Sequence, residues 1–365
     1  MMVYAFYPLL ALLLFAKAKV VRRGEWNDEV LSFRQTKAFL GFLAIIILFH
    51  HASQRVSAPW LSPENTRHGL EAFVYVGYLC VAVFFFCSGY GMYTACRSKE
   101  HFFKGYFVKR ILPIVLPAVI MWLVFFAIEQ ARGMKIEPPV VINVYSYIWY
   151  VPAIVYLYLV FWIAFGLVKN EKAGLLILLI GTILYSVLCF FFGAGTWWYN
   201  THHLFIVGVL VGKYKDRILG VLKRGYVLWI ILTAFLTAAG FSIAGYYYPI
   251  ITALGGRYTD VGHYIAEITG QTVSAFTFSI LVLLIGMKVR VGNRILGFLG
   301  LFTLEIYLVH PLFVQLFGFS FMDNFSGPVC YIENQTLYLL AVIALSIPLA
   351  FLLHKGVHAL CRKKT

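Results

Sequence analysis

The sequence contains eleven apolar runs that are long enough, or nearly long enough, to cross a lipid bilayer as helices. A spanning helix needs about 20 mostly apolar residues, and a spanning chain must satisfy its backbone groups internally. Hydrophobic residues make up 61% of the 365 residues and charged residues only 12%. Soluble domains are about half apolar and about a quarter charged, so an ordinary soluble enzyme is excluded, as is a disordered chain. The runs are 3–20, 38–56, 72–94, 111–128, 147–168, 174–193, 203–213, 225–247, 271–287, 295–318 and 335–354.

Two of the runs are marginal. The run at 203–213 is short, and an extension back through Trp197 and Trp198 would lengthen it. Lysines cut into the end of the run at 3–20, which has neither a preceding basic region nor a clear small-residue cleavage site. We therefore interpret it as a retained helix rather than a signal peptide.

Lysine and arginine residues concentrate in alternate loops. If the N-terminus is outside, 25 of the 30 Lys and Arg residues fall in inside segments and five in outside segments. Cytoplasmic loops carry such an excess, so we predict that the N-terminus is outside and the C-terminus inside. The net charge of +15 is then mainly an orientation signal with contacts to anionic lipids. Nucleic acid binding is not expected.

No hydrophilic stretch is long enough to hold a soluble catalytic domain, so any chemistry must take place in the membrane or at its surfaces. The six cysteines are scattered without a CxxC pair, which predicts neither a disulfide framework nor a zinc site. We predict no metal site of any other kind.

Away from the ends of the predicted spans, the charged or histidine residues are His50, His51, Glu305 and His310. Such residues are costly in a membrane and usually functional. At 1.5 Å per residue, His51 and His310 lie about 20 and about 22 Å from the inner ends of their runs, so we expect them at similar depth. Histidine exchanges a proton near neutral pH, which suits a general base. The alternative is a structural hydrogen bond between helices.

A second cluster surrounds Ser88, in the segment Phe84–Gly91, near the predicted inner leaflet. Its glycines allow close backbone approach or a helix break. The basic residues that follow could bind phosphates, or could simply be inside-loop charges. They are Arg97, Lys99, Lys104, Lys109 and Arg110.

Aromatic residues cluster at the predicted outer side, together with one asparagine and two histidines. They could form an interfacial aromatic belt, or a platform on which sugar rings stack while Asn and His bind hydroxyls. The set comprises Trp60, Tyr147, Trp149, Tyr150, Trp197, Trp198, Tyr199, Asn200, His202 and His203.

Four segments resemble, in order, motifs of the integral-membrane acyltransferase 3 family. Residues 36–51 resemble its first core helix and 84–91 its Ser-Gly-Tyr segment. Residues 109–113 resemble its basic helix entry, and 299–310 resemble its late Tyr-Leu-x-His helix. The resemblance covers about residues 34–355 and implies an all-α, polytopic transmembrane helical bundle. In that bundle the first run is one extra N-terminal helix added to a ten-helix acyltransferase core.

The resemblance implies transfer of an acyl group, most often acetyl, from cytoplasmic acyl-CoA to sugar hydroxyls of cell-envelope polysaccharides or glycolipids. The family signature, a basic residue followed after ten residues by histidine, places His51 at the histidine position and Leu40 at the basic position. The chain therefore keeps the histidine and lacks the cation. Lys37 lies three residues earlier on nearly the same helix face, and we hypothesise that it substitutes.

From these features we predict an extra helix and loop over 1–33 and an acyltransferase domain over 34–365. His51 would act as general base or transient acyl carrier, and Glu305 or His310 would orient it or stabilise charge. The residues expected to hold the acyl-CoA are Lys37, Ser88, Lys109 and Arg110. Those expected to bind the acceptor are Trp149, Tyr150, Trp198, Asn200 and His203.

Acetyl-CoA or another acyl-CoA is expected as co-substrate, with no bound cofactor. Expected partners are membrane lipids and a glycan or glycolipid acceptor, in a bacterial plasma membrane; the sequence leaves a homo-oligomer open. Two alternatives stand beside the enzyme: a transporter or flippase for an envelope lipid or sugar, and a non-catalytic paralogue that has lost its donor-site cation. No internal symmetry of the kind that many transporters show is visible.

Overall fold

The structure, a computed structural model, describes residues 2–132, 146–318 and 330–362. The predicted outer loops 129–146 and 319–334 lie partly outside these residues. The helices are α1 (Phe6–Phe15), α2 (Phe33–Val56), α3 (Gly77–Ser98), α4 (Leu112–Ala131), α5 (Tyr150–Trp162), α6 (Glu171–Phe191), α7 (Leu204–Lys213), α8 (Lys215–Arg224), α9 (Tyr226–Gly245), α10 (Tyr247–Ala253), α11 (Asp260–Gly286), α12 (Arg294–Leu299), α13 (Thr303–Phe317) and α14 (Gln335–Arg362).

The predicted all-α polytopic bundle is confirmed. Within the described ranges, eight helical segments are long and apolar enough to cross a membrane. Three shorter apolar helices, α7, α13 and the segment Met2–Phe15, fall on the three remaining predicted runs. Helix α2 is the most buried of the eight, with 72% of its apolar window inside the protein, against 11% for α9. Residues on α2 can therefore meet several other helices, among them α3, α12 and α13.

The tenth predicted run is broken between α12 and α13, so the expectation of one helix over 295–318 is wrong. A Cβ on Gly300 would overlap the carbonyl of Lys37, and a Cβ on Gly41 would overlap the carbonyl of Leu296. Glycine at both positions lets the two backbones touch, and the chain turns where α12 leaves α2. The sequence stays apolar through the turn, which is why hydropathy alone does not reveal it.

Two other predicted boundaries are wrong. The seventh run does not extend back through Trp197 and Trp198, because those residues form a separate 3-10 turn and α7 begins only at Leu204. The ninth run was expected to begin at residue 271, but α11 begins at Asp260. As a result, residues 196–203 form a connection before α7, and residues 260–270 belong to helix α11.

Helices α3 and α7 cross with their backbones in contact. A Cβ on Gly89 would overlap the carbonyl of Phe205, and a Cβ on Gly208 would overlap the carbonyl of Phe86. Small residues at such crossings allow the close packing on which helix association in membranes depends. The crossing fixes the Ser88 segment against the middle of the bundle.

We expect Gly208→Ala to destabilise the protein by about 1–3 kcal/mol, because the new methyl group meets backbone atoms that cannot rotate away. Thermal unfolding in detergent measures the loss. The matched control is Gly220→Ala in α8, where an added Cβ has no neighbour within 4 Å. That substitution should be neutral or stabilising, and equal losses in the two variants would contradict the packing explanation.

The N-terminal segment ties the first helix to the connection between α11 and α12. Strand β1 (Lys19–Val20) pairs antiparallel with β2 (Val289–Arg290). The Asn27 side chain donates hydrogen bonds to Gln35 Oε1 at 3.1 Å and to the Gly286 carbonyl at 2.8 Å. These bonds fix the beginning of α2 against the end of α11.

Candidate active site

Two histidines from α2 and α13 meet inside the bundle. His51 Nδ1 lies 2.7 Å from His310 Nε2, and the two rings stack with centroids 4.9 Å apart and planes 12° apart. His51 is 7% exposed and His310 is fully buried. The expectation that the two imidazoles lie at one depth therefore agrees with this contact, although the helix that carries His310 is shorter than predicted.

The hydrogen bonds of the pair fix which ring nitrogens carry protons. His310 Nδ1 lies 2.7 Å from the Ile306 carbonyl oxygen, which can only accept, so Nδ1 must donate. A neutral imidazole has one donor and one acceptor nitrogen, so His310 Nε2 accepts. His51 Nδ1 must then donate to it, which leaves the lone pair of His51 on Nε2.

His51 Nε2 is the one ring nitrogen of the pair without a hydrogen bond to any residue in the described ranges. It can take a proton from a hydroxyl group, and His310 Nε2 would then accept a hydrogen bond from the imidazolium that forms. The third member of a catalytic triad stabilises its histidine in the same way. In this pair the corresponding position is occupied by the His310 imidazole, which a backbone carbonyl holds in place.

Arg55 and two tyrosines surround His51, and the sequence analysis singled out neither Arg55 nor Tyr307 as a site residue. Arg55 is 8% exposed, and its Nη2 donates to the Tyr147 hydroxyl at 2.9 Å. Tyr307 donates to the Tyr147 carbonyl at 2.6 Å, and the Tyr147 ring lies 4.6 Å from the His51 ring. Arg55 follows His51 by four residues and so shares its helix face.

His50 does not take part in the pair. Its Nδ1 lies 2.9 Å from the Phe73 carbonyl, and its ring packs against Gly77 of α3. This contact ties α2 to the segment before α3. The choice of His51 over His50, made from motif spacing, agrees with this geometry.

A cavity of about 230 Å³ lies along the same face of α2. Lys37, Leu40, Ala44 and Ile47 line it, at the spacing of three and four that keeps residues on one helix face. The other lining residues are Val81, Phe84, Ser88, Ile114, Tyr150, Ile154, Tyr158, Thr303, Leu304 and Tyr307. Continuing the same spacing leads from Ile47 to His51 and Arg55. From Lys37 to His51 the helix rises by about 21 Å.

Glu305 does not touch the histidine pair. Its Oε1 lies 2.9 Å from His354 Nδ1 of α14, and its carboxylate interacts electrostatically with Lys37. The ring of His354 in turn lies 4.3 Å from that of His358. The sequence analysis missed this pair, which is spaced i, i+4. Glu305 therefore belongs to the Lys37 end of the cavity, about one turn and a half of helix from His310.

Two of the predicted phosphate-binding cations, Lys109 and Arg110, lie in a π-helical turn, Phe107–Ile111, just before α4. Arg110 packs its guanidinium over the Phe102 ring at 5.0 Å, one helical turn before the cavity residue Ile114. Lys109 is exposed. Arg97 is engaged elsewhere, in an ion pair with Glu171 at 2.5 Å.

The predicted acceptor residues fall into two connected groups. The rings of Trp149 and Trp198 lie 6.4 Å apart, and those of Trp149 and Tyr150 lie 6.2 Å apart. Asn200 is buried and donates to Gln271 Oε1 at 2.8 Å. His203 has a buried Nε2 with no hydrogen-bond partner in the described part of the chain. Over the described ranges, no group of three or more His, Cys, Asp and Glu residues could hold a metal ion.

These features define a polytopic membrane protein with an intramembrane cavity and a buried histidine pair, in which His51 lies one helical turn beyond the cavity residue Ile47. The chain belongs to the acyltransferase domain family Acyl_transf_3, whose model matches residues 41–355. The resemblance inferred from the four motifs is thereby confirmed. No curated protein matches the chain, and no solved structure matches it either.

Proposed function

We propose that this membrane acyltransferase moves an acyl group, acetyl in the simplest case, from cytoplasmic acyl-CoA to a sugar hydroxyl of a cell-envelope polysaccharide or glycolipid. The observation that carries the proposal is the 2.7 Å contact of His51 with His310, which leaves the lone pair of His51 Nε2 available. We further propose a bacterial plasma membrane as its location, with the N-terminus outside.

In the proposed reaction, the acceptor hydroxyl oxygen attacks the thioester carbonyl carbon while His51 Nε2 takes the hydroxyl proton. The tetrahedral intermediate then collapses, the carbon–sulfur bond breaks, and the thiolate of CoA leaves. The proton passes from His51 to that sulfur, which restores the neutral imidazole. His310 positions His51 throughout and accepts a hydrogen bond from its Nδ1–H. This route makes an acyl-histidine intermediate unnecessary.

The donor is proposed to enter the cavity from the end at Lys37. The cavity is small, about 230 Å³, and most of its lining residues are apolar or aromatic, so it suits the pantetheine arm rather than the nucleotide of CoA. The nucleotide phosphates would stay outside the cavity and meet Arg110 and Lys109, which precede the cavity residue Ile114 in the chain. Ser88 would offer a hydroxyl to the amides of the arm. Lys37 would meet the arm or its phosphate, with the Glu305 carboxylate near enough to interact with Lys37 electrostatically.

The proposal is tested with purified protein in vesicles, radiolabelled acetyl-CoA outside and envelope glycan as acceptor. Covalent label on the glycan is expected. A flippase or transporter would move substrate across the vesicle wall and leave no label on it, so unlabelled glycan together with transport would overturn the proposal.

We expect Lys37→Met to raise the KM for acyl-CoA about tenfold or more, because a charge-assisted contact contributes about 1.5–3 kcal/mol. The value of kcat should change less, since Lys37 is far from the reacting atoms. Initial rates at varied acyl-CoA concentration measure both. Lys172→Met, at an exposed position at the start of α6, is the matched control and should leave the KM unchanged.

The non-catalytic alternative rests on Leu40, which lines the cavity where the family signature has a cation. Leu40→Arg separates the two readings. If Lys37 substitutes for the missing cation, the unaltered protein is active and Leu40→Arg rescues the Lys37→Met variant. Activity that appears only after Leu40→Arg would establish the paralogue.

A further inference from the structure

A chain of polar side chains crosses from α11 to the loop before α7. Glu267 Oε1 accepts hydrogen bonds from Thr196 Oγ1 at 2.8 Å and from Gln271 Nε2 at 3.2 Å. Gln271 Oε1 accepts from Asn200 Nδ2 at 2.8 Å. Neither Glu267 nor Gln271 was among the residues predicted to form a site, since Glu267 precedes the run predicted to begin at residue 271.

The Glu267 carboxylate determines which groups donate and which accept in this series of hydrogen bonds. Because Glu267 can only accept, Gln271 must turn its NH₂ group toward it and its carbonyl oxygen toward Asn200. Asn200 must then donate, which leaves its Oδ1 as the acceptor at the end of the chain. Asn200 is 1% exposed, and no residue in the described ranges donates to Oδ1. A buried acceptor normally has a partner, so Asn200 Oδ1 is available to a donor group from a bound molecule.

Aromatic rings connect this position to the histidine pair. The ring of Trp198, two residues before Asn200, is followed by the rings of Trp149, Tyr150, Tyr307 and His51. The four steps measure 6.4, 6.2, 5.5 and 6.3 Å. The Tyr199 hydroxyl lies 2.6 Å from that of Tyr264, and burial together with this bond raises the pKa of Tyr199. Tyr199 therefore remains a protonated phenol.

We infer that a subsite for a neutral sugar ring of the acceptor, distinct from the ring whose hydroxyl is acylated, is formed by Thr196, Trp198, Asn200, Glu267 and Gln271. A sugar hydroxyl can donate to Asn200 Oδ1 while the apolar face of its ring packs on Trp198. Among these five residues only Glu267 is charged, and its carboxylate disfavours the binding of an anionic sugar. The inference rests on the proposed function and adds that the acceptor is an oligosaccharide rather than a single sugar.

Binding tests the subsite without requiring catalysis. Neutral oligosaccharides of one to six rings, released from the envelope glycan of the source cells and separated by size, are tritiated and equilibrated by dialysis with the purified protein. We expect the six-ring fraction to bind the unaltered protein at least about tenfold more tightly than the one-ring fraction. Asn200→Leu and Trp198→Ala should each remove about tenfold of this affinity and leave one-ring binding unchanged.

Tyr248→Ala is the matched control, because Tyr248 is an exposed aromatic residue (62% exposed) outside the subsite, and its side chain has no hydrogen bond to Thr196, Asn200, Glu267 or Gln271. It should bind every fraction as the unaltered protein does. Trp198→Ala leaves the Asn200–Gln271–Glu267 bonds intact, so it reports on the subsite even if Asn200→Leu unfolds the protein. Equal affinity of the unaltered protein for all lengths, or equal loss at all lengths in both variants, overturns the inference. Absence of acyl transfer with length-dependent binding retained would instead contradict the proposed function alone.

Discussion

Replacing His51 with alanine is expected to lower the rate of acyl transfer by about 10²- to 10⁴-fold, the usual contribution of a positioned general base. His51 Nε2 is the nitrogen that the hydrogen bonds of the pair leave unprotonated, so its removal leaves the acceptor hydroxyl with no base. Initial rates of label transfer in vesicles measure the loss. Binding of acyl-CoA, followed separately, should change little because the cavity is intact.

His50→Ala is the matched control for this variant. It removes the same ring from the adjacent position of the same helix, but the ring it removes bonds to the Phe73 carbonyl and packs on Gly77. The expected effect is a loss of stability, with transfer reduced less than about tenfold for one structural hydrogen bond. Equal losses in the two variants would mean that the imidazoles act through packing rather than through proton transfer.

The helical bundle could be predicted from the sequence, because the thickness of a bilayer sets the number of apolar residues that a spanning helix needs. Each of the eleven runs contains an apolar helix. The sequence was insufficient for the helix ends, because those depend on contacts between helices. The break before α13 depends on Gly300 meeting the backbone of Lys37, a contact between residues far apart in the chain.

The same distinction applies to the site. The similar depths of His51 and His310 were predicted from the rise per residue of a helix. The prediction still agrees with the contact between the two rings, although the tenth run is broken before α13. The partner of Glu305 does not follow from any local pattern, because His354 lies 49 residues away at the end of α14. Arg55 could have been found, since its spacing from His51 was visible once α2 was taken to continue to Val56.

The position of Lys37 gives the departure at Leu40 a physical explanation. Lys37 and Leu40 both line the cavity, so a cation at either position reaches the same space from the same helix face. Because Lys37 precedes Leu40 by three residues, its positive charge lies about one helical turn further from His51 than a cation at position 40 would. Such a shift suits a contact with the anionic end of the donor more than a contact at its thioester.

His310→Ala is expected to lower transfer by about 10- to 100-fold, less than the loss of His51, because His310 acts on the reaction only through His51. Without it, His51 Nδ1–H has no acceptor, the ring can turn, and the lone pair need not remain on Nε2. His310→Gln should recover part of the loss, since the glutamine amide oxygen can take the place of His310 Nε2. Rates at saturating substrate measure both variants.

The double variant distinguishes a positioning role from an independent one. If His310 works only by orienting His51, the double variant His51→Ala/His310→Ala should be no slower than His51→Ala alone. Once His51 is absent, removing the residue that orients it causes no further loss. Multiplicative losses would show that His310 contacts the substrate or the leaving group itself. A failure of His310→Gln to recover activity, with the protein still folded, would indicate that the second imidazole must carry a proton rather than only accept a hydrogen bond. The hydrogen bond to the Ile306 carbonyl would then be a resting arrangement that changes during turnover.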